Sequence, residues 1–61
     1  MDRKYRVLFN IKGKLRQQDV WVIHNYTTES DIPKIIAIPA GVDATDIEVL
    51  SLKVVAERKV A

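Results

Sequence analysis

Apolar and polar side chains alternate along the start of the chain. Tyr5, Val7, Phe9 and Ile11 are separated by Lys4, Arg6, Asn10 and Lys12, and only Leu8 interrupts the alternation. Successive side chains of a strand point to opposite faces, so a period of two predicts a half-buried β-strand over Lys4 to Lys12. Gly13, between Lys12 and Lys14, marks a turn, because glycine takes positive φ without a Cβ clash. The polar stretch Lys14 to Asp19 reads either as loop or as the frayed start of the next strand.

A second strand is predicted over Asp19 to Tyr26. Val20, Val22, His24 and Tyr26 share one face, and Trp21, Ile23 and Asn25 share the other. Both faces carry apolar groups, and a slip of one residue would exchange them. The favoured register turns Val20, Val22 and Tyr26 inward and leaves Trp21 and Ile23 on a second apolar surface. Thr27 to Pro33 then reads as a helix start: hydroxyl and carboxylate oxygens can accept from orphan amides, acidic groups suit the positive end of the helix dipole, and proline is tolerated in a first turn. Ile32, Ile35 and Ile36 fall at helical spacing, with Ile38 near the same stripe. Pro39 disfavours helical torsions at Ile38, and Gly41 is a stop signal, which predicts a short helix from about Asp31 to Ala40 at most. The β-branched run leaves a strand over Lys34 to Ile38 open as an alternative.

Val42 to Asp46 forms a polar turn, and Ile47 to Ala56 a last strand. Leu50, Leu52, Val54 and Ala56 are read on one face, and Ile47, Val49, Ser51, Lys53 and Val55 on the other. Glu57 to Ala61 is expected to fray. The order strand–strand–helix–strand predicts an α+β fold of ββαβ type: a three-stranded antiparallel sheet, order 2-1-3, with one short helix packed on one face. Residues 1–61 form a single small domain, without repeat, linker or low-complexity segment.

One helix covers only one face of a sheet. Leu8, Trp21 and Ile23, with Val49 and Val55, are therefore predicted to form an uncovered apolar patch, a feature that usually marks an interaction surface. Composition strengthens this expectation. A 61-residue chain with no cysteine has no disulfide to brace it, and a domain of this size buries only about 60% of its unfolded surface. Pairing with another copy would supply burial that the chain lacks alone. Fifteen residues are Val or Ile, which favours sheet.

Charge is unevenly spread. The formal net charge of +2 combines +5 over residues 1–18, where Arg3, Lys4, Arg6, Lys12, Lys14 and Arg16 face Asp2 alone, with −3 over the remainder. A basic two-stranded ribbon can track phosphates or enter a DNA groove. Those six residues are the candidate polyanion contacts, with Trp21 as a stacking platform beside them. Solubility and cross-strand ion pairing account for the same charges without a ligand.

Candidate catalytic groups are few. His24 is the only histidine and reads as a strand residue half-packed beside Tyr26. Ser30 reads as a cap and Ser51 as a strand residue, neither in a G-x-S-x-G context. Asp43, Asp46 and Glu48 lack the spacing of a calcium loop, whose glycine should stand among its ligands, whereas Gly41 precedes all three. Lys12-Gly13-Lys14 lacks the second glycine and the Lys-Ser/Thr ending of a phosphate loop. The expectation is a non-enzyme without metal or cofactor. No apolar run nears the roughly 18 residues of a membrane span, and the charged Met1 to Arg6 leads into strand alternation instead of a signal-peptide stretch. A cytoplasmic protein with no membrane contact is expected.

Lys4-Tyr5-Arg6-Val7, the acidic cap segment, Ala40-Gly41-Val42 and Ile47-Glu48-Val49-Leu50-Ser51-Leu52 together resemble small ββαβ proteins of bacterial phages and mobile elements. The resemblance spans most of the chain and departs from the usual pattern at Pro33 and Pro39. Those families are mostly of unassigned function, so the resemblance implies a fold and brings no functional residue. The reading favoured by the sequence is a non-catalytic interaction module, self-associating through an uncovered apolar sheet face or an edge strand, or docking another protein. The alternative is nucleic-acid binding by the basic hairpin.

Overall fold

Two residues close the hairpin that begins the fold. Lys12 and Gly13 have φ of 50° and 78°, as a type I′ turn requires, and the twist of that turn matches the strands it joins. Ile11 therefore lies opposite Lys14, and the polar stretch after the turn is strand from its first residue. In the computed structural model, which describes residues 1–59, β1 runs Asp2–Ile11, β2 Lys14–Val22, α1 Ile32–Ala40 and β3 Ile47–Arg58. Short 3-10 turns, Glu29–Asp31 and Ala44–Asp46, precede α1 and β3. The sheet is antiparallel in the order β2-β1-β3, and the helix packs on one face, the ββαβ arrangement expected from the sequence.

β2 stops at Val22, four residues short of the sequence expectation. The Tyr26 and Thr27 amides donate to the Ile23 carbonyl at 3.1 and 3.0 Å, and the Thr27 hydroxyl accepts from the Ile23 amide at 2.8 Å. Asn25 completes this turn with φ of 65°, a conformation asparagine tolerates. Val20 is buried and Val22 packs on the core as expected, but Tyr26 is 85% exposed instead of inward, because the chain has left the sheet.

Residues 34–38 are helix. Pro33 sits in the first turn, where its missing amide costs no hydrogen bond. Ile32 and Ile36, one turn apart, are buried with Ala37. Pro39 does not end the helix at Ile38; it occupies the last turn, and Gly41 provides the stop. With φ of 71°, Gly41 donates to the Ile38 carbonyl, and the Val42 amide donates to Ala37, both at 3.2 Å. This paired cap satisfies carbonyls that a helix otherwise leaves orphaned. The core between helix and sheet joins Tyr5, Val7 and Phe9 of β1 to Val20, Ile32, Ile36, Ala37 and Ile47. Among the described residues, no helix is long and apolar enough to cross a membrane.

β3 departs furthest from simple alternation. Its register against β1 shifts twice: Phe9 pairs with Val49 but Leu8 with Ser51, and Tyr5 pairs with Val54 but Lys4 with Ala56. Leu50 and Val55 are the extra residues, and each such bulge moves the following side chains to the other face. Residues opposite one another share a face. Val49, Leu52 and Val54 therefore lie on the helix side, opposite Phe9, Val7 and Tyr5, while Ser51 and Lys53 lie on the outer face. Val49 packs against the core instead of joining the outer patch predicted for it. The strand continues through Glu57 and Arg58, which pair with Arg3 and Asp2, so these two residues do not fray. Val60 and Ala61, also expected to fray, lie outside the described residues.

An added Cβ at Gly41 would meet no atom within 4 Å, so Gly41→Ala isolates the backbone term. Urea unfolding should show a loss of about 1 kcal/mol for Gly41→Ala and less for Gly41→Asn. Equal stability of glycine and alanine there would contradict the left-handed cap.

Candidate interaction surfaces

At one corner of the outer face, three chain segments are tied by charge. Asp2, 7% exposed, accepts from the His24 amide at 2.9 Å through Oδ1 and from Arg58 Nε at 2.9 Å through Oδ2. Arg58 lies over the Trp21 ring, 4.4 Å from its centroid, and Lys4 Nζ stands 6.0 Å away. Such cation–π contacts contribute about 0.5–1 kcal/mol at exposed sites. The His24 amide, and Arg58 after it, hold the Asp2 carboxyl below the usual carboxylate range. His24 itself is exposed, in the turn after β2 and not in a strand, and its bond to Asp2 is made by its backbone.

The five residues of the predicted apolar patch are not brought together. Leu8 is half-buried on the outer face, between Gln17 and Ser51. Trp21 shares that face but is partly covered by Arg58. Ile23 anchors the turn beyond β2, Val55 is a half-buried bulge residue, and Val49 is on the opposite side of the sheet.

The basic residues are also divided. Lys4 and Arg6 lie on the outer face and share Asp19, at 3.8 and 3.1 Å, while Arg3 pairs with Glu57 at 3.2 Å. Arg6 and Lys4 lower the pKa of Asp19, the Arg6 hydrogen bond most of all. Lys12 is in the turn, and Lys14 and Arg16 stand opposite Ile11 and Phe9, on the helix side. Among the described residues no ion pair involves these three. Asp19 was legible only as the start of a strand; its role as the counter-charge of the hairpin comes from the register that sets it opposite Arg6.

Tyr5 ties the segment before α1 to the sheet. Its hydroxyl donates to the Glu29 carboxylate, and this bond, with burial, pushes the phenol above its usual range, partly offset by Arg3. An open groove of about 580 Å³ lies beside them, bordered by His24, Tyr26 and Thr28. Glu29 carried only a capping role in the sequence.

The two edges of the sheet differ. On β2, Lys14 to Asp19 is exposed and polar except for Leu15. On β3, Leu50, Leu52 and Val54 are 50%, 39% and 42% exposed, along a strand of 12 residues whose far edge, among the described residues, pairs with no other strand. Leu52 and Val54 face the helix layer but lie beyond its cover. No family model matches the chain, and neither a curated protein nor a solved structure matches it.

Two pH effects follow. A carboxyl whose folded pKa is lowered contributes stability above its unfolded value, about 3.9, and loses it as pH falls through the folded value. Asp2→Asn should therefore be less stable than wild type at pH 7, with the gap closing on acidification in thermal melts. A phenol whose pKa is raised contributes below about 10 and loses that contribution as pH rises through the folded value. Tyr5→Phe should lose about 1–2 kcal/mol at neutral pH, and the difference should shrink in alkali.

Proposed function

We propose that this chain is a small non-catalytic interaction module that self-associates through the free edge of β3. The exposed stripe Leu50, Leu52 and Val54, on a long strand paired with β1 on one side only, carries this reading. An edge strand presents unsatisfied amides and carbonyls, and addition of another strand pairs them while covering the side chains beside them. Each half-exposed aliphatic gains roughly 1 kcal/mol when covered. The outer face supports association less well, because Arg58 already lies on Trp21 and charges surround it. A polyanion site is also less well supported: Arg3, Lys4 and Arg6 are engaged with Glu57 and Asp19, and the remaining three basic residues do not share a face with Lys4 and Arg6. A cytoplasmic setting belongs to the same proposal and suits a chain without cysteine.

Light scattering on the intact chain tests the reading. Wild type should be dimeric at high micromolar concentration and nearly indifferent to salt. Leu52→Lys should weaken dimerisation at least tenfold, about 1.4 kcal/mol, while Trp21→Ala should leave it intact. A monomeric wild type, or a dimer lost with Trp21→Ala and kept with Leu52→Lys, would refute the β3 edge. A gel shift with DNA that fades steeply as salt rises would instead favour the basic hairpin.

A further inference from the structure

We infer that the second copy adds antiparallel to β3 across a two-fold axis at Leu52, so that two three-stranded sheets become one continuous sheet of six strands. This inference rests on self-association through β3 and specifies its register. The strand is close to palindromic about Leu52: Val49-Leu50-Ser51 precedes it and Lys53-Val54-Val55 follows. In an antiparallel self-pair centred there, Leu52 meets Leu52 of the second copy and Leu50 meets Val54, while Val49 and Val55, displaced by the two bulges, close the regular pairing at its ends. Ser51 meets Lys53, so no like charges oppose one another. Further out, Glu48 meets Ala56 and Ile47 meets Glu57, where the strand begins, so no like charges are opposed along its length.

Neighbouring registers lose this match. A two-fold axis at Lys53 sets two ammonium groups directly opposite, which is destabilising in a cross-strand pair. An axis at Ser51 sets Val54 against Glu48 and Lys53 against Val49. Lys53 thus has a selective role: a charge in the middle of an edge strand blocks most self-pairings, and the Leu52 register is the one that seats it against a small neutral residue.

The symmetry has a structural result. A two-fold axis between antiparallel edge strands stands perpendicular to the sheet, so both helices lie on the same side of it. Leu52 and Val54, which face the helix layer outside the cover of α1, then floor a channel between the two helices.

Cysteine scanning tests the register, since the chain has no cysteine of its own. A disulfide needs Cα atoms about 4.4–6.8 Å apart, which the Leu52 register provides at Leu52 itself. In that register two copies of Ser51, or of Lys53, are offset along the strands and stand roughly 8 Å apart. Under mild oxidation Leu52→Cys should convert almost entirely to linked dimer. Ser51→Cys and Lys53→Cys should each stay unlinked alone and cross-link when mixed. Light scattering and circular dichroism on the reduced variants confirm that each is folded and dimeric. Linkage of Lys53→Cys or Ser51→Cys alone, with Leu52→Cys unlinked, would overturn the register while leaving the β3 edge as the contact. A wild type that is monomeric, or dimeric with no linkage at any of the three positions, would overturn the edge reading itself and this inference with it.

Discussion

Tyr5, Val7 and Phe9 lie beneath Ile32 and Ile36, and the remainder of the molecule is arranged around that contact. β1 is the central strand, so it holds both ladders of the sheet as well as the floor of the core. A chain of this size has room for one such layer of apolar contact. The helix is too short to cover more than part of the sheet, and where it covers is fixed by the spacing of Ile32, Ile36 and Ala37. The exposed segment of β3 follows from that geometry: residues opposite Tyr5 and Val7 on the far edge lie beyond the reach of nine helical residues.

Electrostatics completes what apolar burial leaves loose. The chain's early and late strand residues meet at one corner, where Asp2 accepts from both the turn after β2 and the end of β3. Arg58 serves two partners there, the carboxylate by hydrogen bonding and the indole by its cationic face. Asp19 plays the comparable part midway along the hairpin. Cross-strand pairing thus accounts for Arg3, Lys4 and Arg6 in the basic start of the sequence, and not for Lys12, Lys14 and Arg16. Glutamate and aspartate from the acidic remainder neutralise arginine and lysine from the basic start.

The architecture was legible in the sequence where side chains repeat with one period. The alternation of Tyr5, Val7 and Phe9 gave the central strand, and the Gly41 stop with Ile32 and Ile36 gave the helix against its β-branched composition. The features that misled are those where the backbone changes conformation at a single residue. A positive φ at Lys12, a non-glycine residue, starts β2 at once, and the same at Asn25 removes His24 and Tyr26 from the sheet. The bulges at Leu50 and Val55 depend on pairing with β1, a long-range property that no local pattern displays. That is why alternation sets Val49 on the wrong face, although it does group Leu50, Leu52 and Val54 into one stripe. Tyr5 to Glu29 and Arg6 to Asp19 were hidden for the same reason, since each joins residues far apart in sequence.

The two ladders of β1 are of very different kinetic character. Its pairing with β2 closes through a two-residue turn, a local event of microseconds in isolated hairpins. Its pairing with β3 joins Asp2 to Arg58 and Ile11 to Ile47, across most of the chain, and must bear the entropy of a long loop. Added residues between β2 and β3 therefore weigh on the second ladder alone, while the first ladder feels only changes at Lys12 and Gly13.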